Sequence, residues 1–140
     1  VQPQQHLQHA IQVASEAHGG QMDKTGHPYV EHCRRVADLV ATEEEQIVAY
    51  LHDIPEKASG WTLDRLRQEG FSSAVIAAVD AMTKRVGEDD DDFVRRAIAN
   101  PIARAVKKAD LEDNLVQAEE AGLETAKYLR GLMIIQRGKA

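Results

Sequence analysis

Two histidines and two aspartates of this chain have side chains suited to a divalent transition-metal ion: His32, the adjacent pair His52-Asp53, and Asp110. Two imidazoles and two carboxylates can grip such an ion and leave coordination positions for water and a substrate. Each residue also has a plainer reading. A histidine in line with Val36 and Leu39, as His32 is, can be a hydrogen-bonded core residue. The His52-Asp53 pair can be a helix end with a favourable imidazole and a solvated acid. Asp110 is harder to explain away. It shares a stripe with Ala103 and Val106, where a carboxylate is costly unless paired or ligated, and no capping role applies in mid-helix. Asn114, four residues on, shares that face and can hydrogen-bond a ligand or water. Composition and spacing leave both readings open.

These residues need rigid elements to bring them together, and the sequence supplies helices. Alanine is abundant, aromatics make up 4% of the chain, and apolar residues recur at intervals of three and four. The first helix is expected from about Gln4 to His18, ended by Gly19-Gly20. The second starts with Pro28 in its first turn and carries Val30, Val36, Leu39 and Val40. Thr42 and Glu45 form a capping box for a third reaching His52, where Pro55 disfavours the α conformation at Ile54. Trp61-Thr62 with Leu66, and Phe71-Ser72 with Ile76, read as staple-and-cap signals for a fourth helix and a fifth ending near Thr83. The acidic run 88–92 leads into a sixth, and its acids favour a helix N-terminus over an ion trap. Asn100-Pro101 opens a long seventh to about Glu120, Gly122 breaks it, and an eighth runs from Leu123 to about Arg137. The expected fold is all-α, one domain over residues 1–140, with the cluster built between facing helices of a bundle.

The 140 residues suffice for a real core, and no window is apolar enough to span a membrane. The net charge is −6, and no Lys/Arg stripe can track a nucleic-acid polymer. A small phosphate ester remains compatible, because a metal ion supplies local positive charge. Cys33 is the single cysteine, which fits a reducing cytoplasm, and no export leader is visible. A homo-oligomer is left open.

Four stretches in order carry a resemblance: AHGGQ (17–21), DKTGHPYVEH (23–32), LHDIPEK (51–57) and KKADLEDN (107–114). They resemble AHxGQ, RKxGxPYxxH, LHDxxED and KLADxxxN of the HD-domain metal-dependent phosphohydrolases. Within that family the chain looks most like the hydrolase domain of the RelA/SpoT proteins and its small stand-alone relatives, which remove the 3′-pyrophosphate from the alarmones (p)ppGpp. The resemblance implies an HD-domain bundle of about seven or eight helices. It implies that His32, His52, Asp53 and Asp110 hold one metal ion, typically Mn²⁺. It implies that Glu56 orients or deprotonates the attacking water, that Asn114 contacts the substrate's ribose or phosphate region, and that Lys24 stands at the mouth of a nucleotide pocket.

Two positions depart from the pattern. The second acid after the His-Asp pair is Lys57, a candidate to meet charge growing on the phosphoryl oxygens. The arginine that would lie against a guanine base is Asp23, and a carboxylate cannot make that stacking contact. Lys107 shares the Asp110 face and is a phosphate-binding candidate. No histidine follows His52, which points to a single ion and away from the two-metal phosphodiesterase branches. His18 reads as a packed residue near the pocket floor, and His6 and His9 as idle. The leading expectation is a metal-dependent nucleotide phosphohydrolase, with (p)ppGpp as candidate substrate. Two alternatives stand beside it: hydrolysis of another small phosphorylated metabolite such as a nucleoside monophosphate, and a non-catalytic ligand-sensing domain.

Overall fold

A computed structural model describes residues 3–138, the first three of these by backbone alone. Among them the chain forms nine helices and no strand: α1 (Pro3–Ala17), α2 (Tyr29–Asp38), α3 (Glu43–Leu51), α4 (Ile54–Lys57), α5 (Leu63–Gln68), α6 (Ser73–Ala81), α7 (Asp90–Ala97), α8 (Pro101–Ala121) and α9 (Ala126–Arg137).

The centre of the bundle is α3. Ile47, Val48, Ala49, Tyr50 and Leu51 are all buried in succession, so this helix has no solvent face over its last turns. It packs against α1, α2, α6 and α8. Its start is fixed as the sequence suggests. The Thr42 hydroxyl accepts from the Glu45 N–H at 3.1 Å, and the Glu45 carboxylate accepts from the Thr42 N–H at 3.0 Å. Its end holds a surprise. His52 keeps helical angles (φ −61°, ψ −33°), and the chain changes direction only at Asp53 (φ −94°, ψ −4°). Ile54 then opens the short helix α4 with Pro55 in its first turn, and its side chain is fully buried. The expected bias of Ile54 away from helix is overridden by this burial, and the extra turn raises the helix count to nine.

Helix α8 joins two apolar clusters. Ala103, Val106 and Ala109 belong to the large core built on α1, α2, α3 and α6. Leu111 and Ala118 belong to a smaller one with Val94, Tyr128 and Ile135, from α7 and α9. Asn100 caps α8 by accepting from the N–H groups of Ile102 and Ala103, each at 3.0 Å, and Gly122 ends it at φ +71°. At Gly131 of α9 an added Cβ would stand 2.8 Å from Leu111 Cδ1, so the missing side chain sets how closely α9 approaches α8.

Three expected boundaries move. Pro28 is the residue before α2 rather than within it. Leu39 ends α2 and is 57% exposed, because the chain turns before it can join the inner stripe. Leu123 is exposed ahead of α9, which begins at Ala126. No described helix is long and apolar enough to cross a membrane.

Candidate metal centre and cleft

The four candidate ligands come from α2 (His32), the α3–α4 junction (His52 and Asp53) and α8 (Asp110), and the structure brings them to one point. One ligand atom from each lies within 4.8 Å of all the others. Asp110 Oδ1 is 3.1 Å from His32 Nε2 and 3.2 Å from His52 Nε2, and Asp53 Oδ2 is 3.1 Å from His52 Nε2. Donors about 2.1 Å from a common ion lie roughly 3 Å apart when adjacent, so these three separations are those of neighbouring ligands of one divalent ion, while His32 Nε2 and Asp53 Oδ2 stand 3.7 Å apart. Both imidazoles are 1% exposed, so neither can meet its needs from solvent.

Both rings are aimed by their other nitrogen. His52 Nδ1 donates to the Ala49 carbonyl at 2.7 Å. His32 Nδ1 donates to the Asp113 carboxylate at 2.6 Å. Such backing fixes ring orientation and raises ligand basicity. Asp113 is itself held by Arg35, whose Nε donates to Oδ1 at 2.8 Å, and by Gln117, whose amide donates to Oδ2 at 2.7 Å.

Electrostatics follow the geometry. Burial works to lower the pKa of His32, but hydrogen bonds to Asp110, Asp113 and Asp53 push it up to about 11. His52 rises to about 10 against the same burial, through the charges of Asp53 and Asp110. Burial alone would raise the two aspartates, yet both stay well below the ordinary carboxylate range. His52 and His32 hold Asp53 down; Lys107 and His52 hold Asp110 down. The carboxylates thus favour positive charge at the imidazoles and the imidazoles favour negative charge at the carboxylates, a demand for cationic charge at this point that a divalent ion would meet.

A cleft of about 210 Å³ opens beside the cluster, lined by Asp53 and Asp110. Glu56, Lys57, Lys24, Lys107 and Asn114, all picked out in the sequence, line it too. Lys107 Nζ lies 3.4 Å from Asp110 Oδ2 and 4.2 Å from the centre of the Phe93 ring. Asn114 donates to Asp110 Oδ1 at 3.0 Å and accepts from Lys24 Nζ at 2.6 Å. Glu56 is exposed, and its carboxylate accepts from the Lys84 N–H at 3.2 Å. Lys57 does not pair with Glu56; its Nζ sits 5.7 Å from the centre of the Tyr29 ring.

Asp23 does not face the cleft. Its carboxylate is buried beneath its own loop, taking Arg35 Nη2 at 2.8 Å and the N–H groups of Thr25 and His27. It is a loop anchor, with its pKa held down by Arg35 and Thr25 against burial.

Sequence reasoning missed Tyr29, Arg35, Asp113 and Gln117. Tyr29 lines the cleft and donates its hydroxyl to Asp53 Oδ2 at 2.6 Å. Burial and the Asp53 charge raise its pKa, so it remains a donor. Asp113 and Gln117 follow Asp110 at helical spacing, which is the signal that could have found them. Nothing in the sequence signalled Arg35. His9, read as idle, pairs with Glu69 at 3.0 Å and stacks on Phe71, a structural role. The acidic run is a helix start: Asp89 caps α7, while Glu88, Asp90 and Asp92 pair with Arg96, Lys84 and Arg95.

The chain is similar to known proteins in the same terms. A family model described as "HD domain" matches residues 10–92. A "Probable GTP pyrophosphokinase" of Mycobacterium leprae is 32% identical over 122 residues, 78% of this chain and 15% of that protein. Two proteins called guanosine-3′,5′-bis(diphosphate) 3′-pyrophosphohydrolase match shorter stretches. The one from Haemophilus influenzae is 34% identical over 51% of the chain and 11% of its own length. The one from Aquifex aeolicus is 35% identical over 56% and 12%. The chain thus spans less than a sixth of the length of these relatives. A solved structure described as a metazoan ortholog of SpoT that hydrolyzes ppGpp shares the fold, with a TM-score of 0.72 and 21% identity over 94% of this chain and 82% of that one. Because the family match spans more than half of the sequence and takes in His32, His52 and Asp53, the chain belongs to the HD domain family.

Proposed function

We propose that residues 1–140 act as one metal-dependent phosphohydrolase domain whose substrate is a nucleotide bearing more than one phosphate, with (p)ppGpp, cleaved at its 3′-pyrophosphate, as the leading candidate. The observation that carries this reading is the convergence of four ligand atoms beside a cleft rimmed by lysines. His32, His52, Asp53 and Asp110 would hold one divalent ion, with Mn²⁺ the expected metal. When bound, that ion supplies Lewis-acid chemistry, polarising phosphoryl oxygens and making water more acidic.

The chain's own groups do the rest. Glu56 orients the attacking water and takes its proton as the bond to phosphorus forms. The bond from that phosphorus to the ribose 3′ oxygen breaks; its electron pair stays on the ribose oxygen, which takes up a proton to become the 3′-hydroxyl, and the former water oxygen departs on the pyrophosphate. Lys107 and Lys57 face the charge that grows on the phosphoryl oxygens. Asn114 and Lys24 hold the ribose or phosphate region of the substrate.

Charge in the cleft supports more than one phosphate on the substrate. Lys84 is neutralised by Asp90 and Lys107 faces Asp110, but Lys24, Lys57 and Lys127 have no carboxylate partner among the described residues. The shared name of the Haemophilus influenzae and Aquifex aeolicus relatives supports the same substrate. A second reading, another small phosphorylated metabolite, is favoured by the burial of Asp23, which leaves that loop position without a cation to stack on guanine. A cytoplasmic setting fits either substrate.

The test is product analysis with added Mn²⁺ over ppGpp, GTP and nucleoside monophosphates. Pyrophosphate from ppGpp supports the leading reading, and orthophosphate from monophosphates supports the second. Tight binding without release would make the domain a sensor instead.

A further inference from the structure

The AHGGQ stretch supplies no ligand to the cluster and no wall to the cleft. Gln21 nevertheless ties three elements together. Its backbone N–H donates to the His18 carbonyl at 2.9 Å, and its carbonyl accepts from the Tyr29 N–H, the first of α2, at 2.8 Å. Its side-chain Nε2 donates to the carbonyl of Lys57, the last residue of α4, at 2.9 Å. That donation fixes the amide's orientation, so Oε1 faces His18 Nδ1 at 2.8 Å and the ring must carry its proton there. His18 is 3% exposed and its ring packs 4.7 Å from Tyr29, so the bond has little freedom to swing. Its Nε2 has no partner among the described residues, so the bond to Gln21 is the only polar hold on the ring.

The place that Gln21 holds is one that cannot hold itself. Helix α4 has four residues, far below the length at which helix formation sustains itself. Its internal bonds are Lys57 N–H to Asp53 and Ala58 N–H to Ile54, each 2.9 Å, and its last carbonyls lack helical partners. Yet this turn carries Glu56 and Lys57 and begins at Asp53. Pro55 and the buried Ile54 fix its start; the Gln21 amide is the hydrogen bond that fixes its end.

We propose that Gln21 is a positioning residue for the reaction: its amide straps the C-terminal carbonyl of α4 to His18 at the end of α1 and so sets where Glu56 and Lys57 stand over the cluster. The proposal rests on the phosphohydrolase reading, and its test separates the two.

Gln21→Ala removes both arms of the strap. Gln21→Glu is nearly isosteric and keeps the acceptor toward His18 but loses the donor to Lys57. Amide hydrogen exchange is measured on the metal-free proteins, then Mn²⁺ affinity by titration, then kcat and KM on ppGpp at saturating Mn²⁺. Both variants should exchange faster at Lys57 and Ala58 by about fivefold or more, the equivalent of one ordinary hydrogen bond. Exchange in α3 should be unchanged, Mn²⁺ affinity should stay within about twofold, and kcat should fall at least as much as exchange rises, with KM less affected. Unchanged exchange at Lys57 and Ala58 in both variants overturns the strap. Faster exchange with kcat unchanged overturns its role in positioning. If the wild type releases nothing from any phosphate ester while exchange responds as expected, the strap stands and the phosphohydrolase reading falls.

Discussion

Asp113 grips His32 from behind: its Oδ2 accepts from Nδ1 at 2.6 Å, on the side of the ring away from the cluster. A carboxylate in that position fixes the tautomer that turns Nε2 toward a metal. Asp113→Asn keeps the shape but removes the charge. It is expected to weaken Mn²⁺ binding by about 10- to 100-fold, the usual loss when a ligand's backing group is removed. Titration of the metal-free variant with Mn²⁺ checks this, and an affinity equal to wild type would show that Asp113 serves only the fold.

Lys127 is exposed at the rim of the cleft, 5.2 Å from the centre of the Tyr128 ring, and touches none of the four cluster residues. If it meets a phosphate remote from the bond being cut, it contributes equally to ground and transition states. Lys127→Ala should then raise KM for ppGpp by roughly five- to tenfold while leaving kcat nearly unchanged. Steady-state kinetics decide the matter, and a fall in kcat at constant KM would contradict the assignment.

Helix α8 carries Asp110, Asp113, Asn114 and Gln117, and its first turn depends on one side chain. Asn100 satisfies two N–H groups there. Asn100→Ala should cost about 1 kcal/mol of stability by urea denaturation, with Mn²⁺ affinity unchanged because the cap lies more than two turns from Asp110.

Acid sensitivity is expected from Glu88. The Arg96 guanidinium holds its carboxyl down from 4.5 to about 2, with donors at 2.8 and 2.9 Å. A carboxylate depressed by folding stabilises the native state fully above its unfolded pKa. That stability disappears as pH falls through the folded value. The window is therefore pH 4.5 down to about 2. Glu88→Gln should cost about 1–2 kcal/mol near neutrality, reduced by partial exposure, and should flatten the stability profile across that window. Denaturation of both proteins from pH 2 to pH 6 tests it.

The capping signals at Thr42 and Asn100, the acidic helix start at 88–92 and the helix-breaking Gly122 were legible because they act through bonds within four residues. Asp110 was legible because it sits on a face where a carboxylate is costly unless paired or ligated; the set with His32, His52 and Asp53 came with the family resemblance. Helix α4 was not legible, since Pro55 argues locally against helix while the pocket that buries Ile54 is built by distant segments. The burial of Asp23 was hidden for a similar reason: its partner Arg35 lies twelve residues away and on a different element. Local rules see a loop acid there, whereas the fold makes it the anchor of the loop.

The account rests on one ion held jointly by His32, His52, Asp53 and Asp110. Its most direct test is elemental analysis of purified protein equilibrated with Mn²⁺ and freed of excess, for wild type and for Asp110→Ala. One ion per chain in the wild type and none in the variant is the predicted result. No tightly held ion in the wild type, two ions per chain, or full retention by the variant would contradict it.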